Sequence, residues 1–436
     1  MSFICFCRRW RLVAAGANLT WLLALATANA DTSLSFDQAL AIARQQAPVL
    51  AAGSAQLLAR QNSAMAAGEL PDPTLTGGLT NLPISGDGPF SLNEDFMTMK
   101  SIGVMQRFTH RDKRQANRSL AQAEIFLART QLRLDEIQLQ TDVALSWMTR
   151  HEIEQKIALL EQLLADNQRL QETVNARLAG GNGSLADSIL PQEQQLLLEE
   201  RKDQLLTQRQ QVIATLQQWL GEAAGLPLDG SWPVWEIDGT ALKNNLRMHP
   251  AFALFEPRTA LLDAELRKAK AAKKSDWSLE LSYANRASPY SDMMNMKFTL
   301  DLPLFSGRRQ DPLIAARYSE LDQLEAESEA GLRRMAAQLD NHLAELERLQ
   351  RAVTRQQSGL LPLAVDRVKL VQDAWRDGKA PLSELITAKL GLGEAELRLI
   401  ELQSAHARLA ALLYFSHGSD VSHEHTSAPA TEETTQ

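Results

Sequence analysis

The sequence predicts a mainly α-helical chain that is duplicated internally and contributes four strands to a transmembrane β-barrel shared between chains. Three observations lead to this prediction. The chain of 436 residues repeats itself at an offset of about 200 residues, and each half contains a pair of segments with alternating apolar and polar residues. Each half also contains a helical pattern of roughly 70 residues. Four strands cannot close a barrel, so we expect several chains to contribute.

The amino-terminal segment, residues 1–30, has the pattern of a secretory signal peptide. Three arginines precede the mostly apolar run Leu12–Ala26, and an A-x-A cleavage pattern follows at Ala28–Ala30. We expect cleavage after Ala30. The pair Arg8-Arg9 is also compatible with a twin-arginine export signal, although a basic segment at this place is explained by ordinary secretion alone.

Cysteine content and charge narrow the chemistry of the processed chain. Both cysteines, Cys5 and Cys7, lie in the segment expected to be removed, which leaves no disulfide, thiolate metal site or cysteine for lipid attachment. Removing residues 1–30 also takes away three arginines and no acids, so the formal charge falls from −8 to −11. An acidic chain repels phosphates, which argues against nucleic acid as a partner. After the signal segment, no run of about 18 apolar residues predicts a membrane-spanning helix.

The two halves match residue by residue. Upstream, an offset of 204 residues pairs Asp72 with Asp276 and Leu75 with Leu279. Downstream, an offset of 197 pairs Lys100 with Lys297, Phe108 with Phe305, Gly181 with Gly378, Leu185 with Leu382 and Asp187 with Glu384. The difference of seven residues falls in Thr80–Phe96, a segment rich in Gly, Pro, Asn and Asp that predicts a longer loop.

Each half is predicted to run helix, strand, loop, strand, very long helix, tight turn and returning helix. The first repeat covers 31–220, with a helix that starts at the capping-box pattern Ser35–Gln38, strands at 73–81 and 96–108, and a helical hairpin at 112–220. A linker at 221–240 leads to the second repeat at 241–416, with strands at 277–285 and 294–305 and a hairpin at 308–416. Residues 417–436 lose all periodicity and predict a disordered tail.

The strands of the second repeat show the clearer pattern. Trp277, Leu279, Leu281 and Tyr283 alternate with polar residues, and Met296, Phe298 and Leu300 alternate with Lys297 and Thr299 in the same way. This alternation predicts one apolar face toward lipid and one polar face toward the interior. The strands of the first repeat alternate less cleanly, and their facing stays open.

The two long helices are predicted at about 112–180 and 309–377. At 1.5 Å per residue each would span roughly 100 Å, far more than a helix of a globular protein. The second carries a seam with alternating spacings of three and four residues, typical of a coiled coil: Leu332, Met335, Leu339, His342, Leu346, Leu349 and Val353. Pro362 should bend it. Each long helix ends at a glycine turn.

These features resemble the TolC outer membrane efflux family. The resemblance lies in the duplicated units and in the two turns, "ARLAGGNGSLADSIL" and "DAWRDGKAPLSELITAK". The segments "LSFDQALAIARQQAPVL", "LPLFSGRRQDPLIAARYSELDQLEAE" and "LLPLAVDRVKLVQDAWRDG" look most like its CzcC-type heavy-metal branch. The resemblance covers about residues 33–416.

The resemblance implies a homotrimer, in which the strands form a twelve-stranded outer membrane barrel and the hairpins form a periplasmic α-barrel. It further implies the exit duct of a tripartite efflux pump, docked through a periplasmic adaptor to an inner-membrane, proton-driven transporter of the RND type. The expected cargo is heavy-metal cations, and no cofactor or enzymatic activity is expected. Without a cysteine for lipid attachment, anchoring would depend on the barrel alone.

Two alternatives remain open. A duct of the same family that exports drugs or proteins is the nearest, because the acidic charge only mildly favours cations. An exported coiled-coil structural protein or adhesin without a channel is the other, although a rod would not need duplicated amphipathic strands.

Motifs of enzymes are missing or incomplete. His151-Glu152 resembles the start of the zinc motif H-E-x-x-H, but Gln155 stands where the second histidine is needed. The glycines at 180–183 could cradle a phosphate, but a helix-hairpin turn explains them better, because Gly378 repeats the turn without the glycine cluster.

The expected functional residues lie at the two tip turns. For adaptor docking, the candidates are Gly181, Leu185, Gly378 and Leu382, with both leucines expected to be partly exposed. Asp187 and Glu384 stand at the same step after each turn. Either they complement the dipole of a helix start, or a trimer assembles them into a ring of six carboxylates that selects cations and gates the pore.

Methionine and histidine side chains are weaker candidates for metal ligands. Met97, Met99, Met294 and Met296 form two Met-x-Met pairs whose thioethers suit Cu(I), although packing in the barrel explains them better. His417, His423 and His425 stand in the tail beside Glu424, where they would either capture metal ions or be solvated. His342 occupies a seam position, where a packed or hydrogen-bonded interface role is expected.

Overall fold

The computed structural model describes residues 33–86, 88–181 and 184–416. The first repeat contains α1 (Phe36–Gln46), α2 (Pro48–Ala66), β1 (Thr74–Thr80), β2 (Met99–Phe108), α3 (Arg111–Ala179) and α4 (Ile189–Leu220). The second contains α5 (Gly239–Asn244), α6 (Phe255–Ala271), β3 (Trp277–Arg286), β4 (Met293–Leu300), α7 (Ser306–Arg355), α8 (Leu361–Arg376) and α9 (Leu382–Ser416). The expected signal peptide and tail lie outside the described residues.

The long helices form two hairpins, which we call the first hairpin (α3 and α4) and the second hairpin (α7, α8 and α9). Helix α3 has 69 residues and is therefore about 100 Å long, as the sequence predicts. All residues of the predicted seam on α7 are buried or half-buried. Helix α9 contacts α3 from the middle of α3 to its end, so the two hairpins lie side by side.

The second hairpin departs from the first at Pro362. A wider π-helical turn at Gln356–Leu360 separates α7 from α8, whereas α3 is continuous at the corresponding place. Proline lacks an N–H and its ring clashes with the carbonyl four residues earlier, and a wider turn relieves both problems. The side chain of Gln356 is buried and donates to the carbonyl of Ala395 on α9 at 2.8 Å.

The strands form one antiparallel sheet in the order β1-β2-β3-β4. Leu281 lies opposite Val104 on one side and Met296 on the other, and Val104 lies opposite Leu75 of β1. Residues directly opposite each other share a face, so the register resolves the facing that the sequence left open. The side chains of this apolar face are 36 to 75% exposed: Leu75, Leu79, Ile102, Val104, Leu279, Leu281, Met296 and Phe298.

The other face of the sheet is polar. Glu280 lies opposite Lys297 and accepts a hydrogen bond of 3.1 Å from the hydroxyl of Thr76. Gly103 of β2 leaves room for this contact between β1 and β3. A side chain there would not fit, because its Cβ would approach the Cβ of Ser282 to 2.6 Å. The sheet therefore exposes an apolar surface on one side and a polar surface on the other.

Asp276 connects the sheet to α3. Its carboxylate accepts the backbone N–H of His110 at 2.8 Å and pairs with Lys113 at 3.0 Å and Arg107 at 3.3 Å. Burial alone would raise the pKa of this carboxyl, but these hydrogen bonds and cations outweigh it and leave the pKa below its ordinary value. The contact fixes the direction in which the long helix leaves the sheet.

The main hydrophobic core lies where α1, the middle of α3 and the end of α9 meet the linker after α4. The predicted capping box of α1 is confirmed, since Ser35 and Gln38 exchange hydrogen bonds of 2.8 and 3.2 Å. Trp147 is fully buried and packs edge-on against Phe36, and its indole N–H donates to the carbonyl of Leu34. The short parallel bridge between Leu34 and Leu228 ties the linker to the residues just before α1.

His151 and Glu152 belong to this packing. The His151 ring stacks on Trp147 at 5.0 Å, and burial lowers its pKa. The Glu152 carboxylate binds Lys156 at 2.7 Å, Arg408 at 3.1 Å and the hydroxyl of Ser404 at 2.6 Å, which ties α3 to α9. These side chains hold the two hairpins together.

Within the described part of the chain, no helix combines the length and apolar character that crossing a membrane requires.

Candidate functional site

The two hairpin tips are built by the same glycine turn. Gly181 follows α3 with φ +77°, and Gly378 follows α8 with φ +74°, a conformation that glycine adopts without strain. After α8 the amide of Lys379 donates to the carbonyl of Ala374 at 2.8 Å, and that of Gly378 to Trp375 at 3.1 Å, which is a Schellman ending. The expected turns are thus present, with Asn182 and Gly183 outside the described residues.

Asp187 caps the chain after the first tip. Its carboxylate accepts the backbone N–H of Ser184 at 3.1 Å, while the Ser184 hydroxyl accepts the N–H of Ala186 at 3.2 Å. This reciprocal capping box satisfies amides that a helix start leaves unpaired. The geometry gives Asp187 the helix-start role that the sequence offered as one of two interpretations.

Glu384 does not repeat this arrangement. Its side chain is exposed and its backbone N–H donates to the carbonyl of Pro381 at 3.2 Å. Although Asp187 and Glu384 are paired by the internal repeat, one carboxylate is held by its own backbone and the other extends into solvent.

The two tip leucines also differ. Leu185 is 74% exposed, as expected, but Leu382 is only 3% exposed. The expectation of an exposed Leu382 is therefore wrong. It packs in a cluster between α3, α8 and the start of α9, whose other buried members are Leu170, Val174, Trp375, Leu385 and Ile386. The cluster needs an apolar side chain at this place because it joins the tip of the second hairpin to α3.

The side chain of Arg177 on α3 covers one side of this cluster. The Arg177 guanidinium lies over the Trp375 ring, 4.5 Å from its centroid, and donates to the Trp375 carbonyl at 3.2 Å. We call this contact, made by Arg177 and Trp375, the tip latch. It bridges the end of α3 and the end of α8, so the two tips cannot separate without breaking it.

A cavity of about 230 Å³ lies beside the tip latch, lined in part by Ser184, Asp187, Pro381 and Leu382. A larger groove of about 470 Å³ lies farther from the tips, between α3, α4, α8 and α9. Leucine is the most frequent residue in the lining of this groove, and the ion pair between Arg201 and Glu394 crosses it. Both spaces separate the first hairpin from the second.

The two pairs of candidate methionines do not occupy equivalent positions in the sheet. Met294 and Met296 lie opposite Tyr283 and Leu281 on the apolar face, 73 and 75% exposed. Met99 lies opposite Arg286 on the polar face, and Met97 precedes the strand. Thus the sequence offset of 197 does not superpose the two Met-x-Met pairs in the sheet.

Histidine candidates add no assembled metal site. Among residues 33–86, 88–181 and 184–416, no three His, Cys, Asp or Glu side chains are grouped so that they could hold a metal ion. His342 is half-buried at its seam position. His417, His423 and His425 lie outside the described residues.

Sequence reasoning missed the tip latch. No local pattern links Arg177 with Trp375, because the contact joins residues of different repeats. The capping role of Asp187, in contrast, was readable from the spacing Ser184-x-x-Asp187.

We expect Arg177→Gln to loosen the tip by about 1–2 kcal/mol, because it removes a cation from an aromatic face together with a charged hydrogen bond. Amide hydrogen exchange of the purified full chain should become roughly 5- to 30-fold faster around residues 371–386. The matched control is Arg169→Gln, since the Arg169 side chain is 77% exposed and, among the described residues, its ion pair is with nearby Asp166. Equal exchange in both variants would show that the latch does not stabilise the tip.

The chain is similar to known proteins in its three-dimensional structure and not in its sequence. Neither a protein-family model nor a curated protein sequence matches the chain. Solved structures match it over most of its length. A crystal structure of CusC, determined in connection with folding and transmembrane channel formation, has a TM-score of 0.73, with 15% identity over 88% of this chain and 91% of that one.

Two further structures agree. A membrane protein from Pseudomonas aeruginosa has a TM-score of 0.75 and 17% identity, covering 88% of this chain and 92% of its own. The outer membrane protein VceC from Vibrio cholerae has a TM-score of 0.72 and 16% identity, covering 88% of this chain and 96% of its own. The chain has the fold of these proteins, which confirms the predicted combination of long helical hairpins with strands.

Proposed function

We propose that the chain is the outer membrane exit duct of a tripartite efflux pump and acts as a homotrimer. The observation that carries the proposal is the sheet: its apolar face is exposed, its opposite face is polar, and it continues into hairpins about 100 Å long. Such a face suits lipid and such hairpins suit a tube through the periplasm. The likeness to CusC, which forms a transmembrane channel, and to the outer membrane protein VceC supports the proposal.

The proposed partners follow from the resemblance to the TolC family. A periplasmic adaptor would bind the hairpin tips, and a proton-driven RND transporter of the inner membrane would supply the cargo. We propose heavy-metal cations as that cargo, in line with the CzcC-type segments and the acidic charge of the chain. Drugs or proteins are the competing cargoes, and the growth test below separates them.

Deletion of the gene should sensitise its host to divalent or monovalent heavy-metal cations, whereas tolerance to dyes, detergents and antibiotics should remain. Growth inhibition is measured across a panel of metal salts and organic compounds, with the full chain supplied in trans. Sensitivity to organic compounds alone would reject the metal cargo but retain the duct. Sensitivity to neither class, with the chain absent from outer membranes, would reject the duct itself.

Two neighbouring residues of β4 provide a matched pair for this test. Phe298 lies on the apolar face and Thr299 on the polar face, and both are exposed. Phe298→Arg should prevent assembly in the outer membrane, since arginine on the lipid face costs about 2–4 kcal/mol near the midplane. Thr299→Arg should assemble and restore growth. Assembly of both variants would contradict lipid contact of the apolar face.

Leu185 is the proposed adaptor contact. Of the two candidate leucines, Leu382 is buried and Leu185 is exposed, and burying Leu185 against a partner is worth roughly 1.5–3 kcal/mol in each copy. Leu185→Asp should abolish complementation while trimer and membrane insertion persist. Leu382→Asp should instead destabilise the tip itself. Ala186→Asp, which adds the same charge one residue away, is the control; full activity of Leu185→Asp would reject the docking role.

Asp187 and Glu384 are the proposed gate. In a trimer they would supply six carboxylates near the periplasmic mouth, where repulsion favours opening and bound cations favour closure. Glu384→Gln should weaken the block of single-channel conductance by divalent cations added from the periplasmic side. Asp187→Asn should weaken it as well, while its amide oxygen still caps Ser184 and keeps the fold. Unchanged block in the double variant would leave both residues with the helix-start role alone.

A further inference from the structure

The end of the sheet at which the helices begin is basic, although the chain as a whole is acidic. Helix α6 leads into the segment 267–274, "RKAKAAKK", which holds five cations and no acid, whereas the formal charge of the chain is −8. Strand β3 begins shortly afterwards at Trp277. Two more cations, Arg308 and Arg309, lie in the first turn of α7.

These two groups of cations lie close together in space. The backbone N–H of Asp301 donates to the carbonyl of Asp276 at 2.9 Å, which places the end of β4 beside the start of β3. An ion pair between Lys273 and Asp311 joins the end of α6 to α7. We call the joint surface the basic patch, and its members are Arg267, Lys268, Lys270, Lys273, Lys274, Arg308 and Arg309.

Exposed apolar side chains adjoin the basic patch on the side of the sheet. Trp277 is 39% exposed and stacks on Phe108 with a centroid distance of 4.1 Å. In the connection from β4 to α7, Leu304 and Phe305 are 74 and 71% exposed. Aromatic and apolar side chains followed within a few residues by Lys and Arg are typical of polypeptide at a membrane–water interface, where long cationic side chains extend to the water.

The acids of this region do not neutralise the basic patch. Lys274 lies 3.9 Å from the carboxylate of Asp112, and the Lys270 ammonium lies 5.0 Å from the centroid of the Tyr318 ring. Four exposed cations of the patch form no ion pair with a carboxylate among the described residues: Arg267, Lys268, Arg308 and Arg309. The patch therefore offers positive charge to a partner.

The fold itself does not require this charge. By the offset of 204 residues, segment 63–70 of the first repeat corresponds to 267–274, and it contains no cation. Both segments cover the end of a helix that packs on α3, namely α2 and α6. The loops at the opposite end of the sheet, 81–98 and 287–292, contain acids and no cation. The cations of 267–274 therefore indicate a partner at this end of the sheet.

We propose that the basic patch binds the phosphate headgroups of anionic phospholipids in the periplasmic leaflet of the outer membrane. The inference rests on the proposed function, because it requires the apolar face of the sheet to lie in that membrane. Cations close to an anionic lipid surface are attracted to it, and the attraction falls off within a Debye length, about 10 Å at 0.1 M salt. The exposed rings of Trp277 and Phe305 beside the patch favour a lipid over a free anion, since they offer contact to the apolar part of the molecule.

Quenching of tryptophan fluorescence by brominated lipids tests the proposal. The purified full chain is reconstituted in phosphatidylcholine vesicles that contain increasing fractions of brominated phosphatidylglycerol or of brominated phosphatidylcholine with the same acyl chains. Trp277 lies beside the patch and reports the contact. At low salt the chain should prefer phosphatidylglycerol by about fivefold or more, since one cation near an anionic surface accounts for roughly this factor. The preference should be lost at about 1 M salt, where the Debye length is about 3 Å.

Removal of the unpaired cations should abolish the preference at low salt as well. The variant carries four substitutions: Arg267→Gln, Lys268→Gln, Arg308→Gln and Arg309→Gln. A charge-preserving variant should keep the preference, because attraction to a lipid surface depends on charge and not on the shape of the guanidinium. It carries Arg267→Lys, Arg308→Lys and Arg309→Lys.

The matched control removes four exposed cations from the second hairpin, away from the sheet: Arg334→Gln, Arg355→Gln, Arg367→Gln and Lys369→Gln. It changes the net charge by the same amount as the patch variant and should keep the preference. An equal loss in the control and in the patch variant would overturn the inference, because net charge alone would then explain the binding. Equal affinity of the unaltered chain for both lipids at low salt would overturn it as well.

Two further measurements separate other partners from lipid. Inorganic phosphate, added at an ionic strength matched with chloride, should leave the preference unchanged, and its loss would assign the patch to free phosphate. The patch variant should remain a trimer in phosphatidylcholine vesicles. Dissociation of the trimer there would overturn the inference and assign the cations to contacts between copies.

Failure here is distinguishable from failure of the proposed function. Growth on metal salts reports transport without any comparison of lipids. Normal growth together with equal affinity for both lipids would reject the inference and keep the duct. A preference for phosphatidylglycerol with no effect of gene deletion on growth would keep the lipid contact and reject the efflux role.

Discussion

Unpaired backbone groups at the edges of the sheet are the constraint on which the rest of the molecule depends. Among the described residues the four strands pair with one another at three internal junctions. In the proposed lipid surroundings, water is not available as a partner for the outer rows of backbone groups. Since Asp276 joins the sheet to the start of α3, the position of the first hairpin is determined by the position of the strands. In the proposed trimer, closure of the sheet therefore also arranges the long helices into a tube.

The internal duplication explains how a long structure is built from one kind of structural unit. One unit of two strands and a hairpin is used twice, and the pairing of β2 with β3 joins the two units inside the chain. The long helices of the two repeats correspond to each other closely, because α3 in the first repeat and α8 in the second end at equivalent glycine turns. The sequence offset of the long helices does not hold for the strands, because the connection from β4 to α7 is longer than the connection from β2 to α3.

Much of this fold could be predicted from the sequence, and the reasons for success and failure are physical. Periodicity identified the strands and the 69-residue helix because these elements repeat one pattern over many residues. The facing of β1 and β2 could not be read because glycines such as Gly77 and Gly103 carry no polarity, and only pairing with β3 decides it. The exposure of Leu382 was predicted wrongly because its environment, Trp375 and Ile386, comes from tertiary packing that no local pattern records.

The two hairpins differ most where the proposed gate lies. The first tip is braced internally, by an unbroken α3 and by the capping box that occupies Asp187. The second contains the π-helical turn before Pro362, and its tip is held to α3 by the buried Leu382 and by the tip latch. A helix with a wider turn bends there at lower cost than a regular one. Movement that opens the mouth is therefore expected to break the tip latch and swing the second hairpin about this turn, with Glu384 moving and Asp187 staying in place.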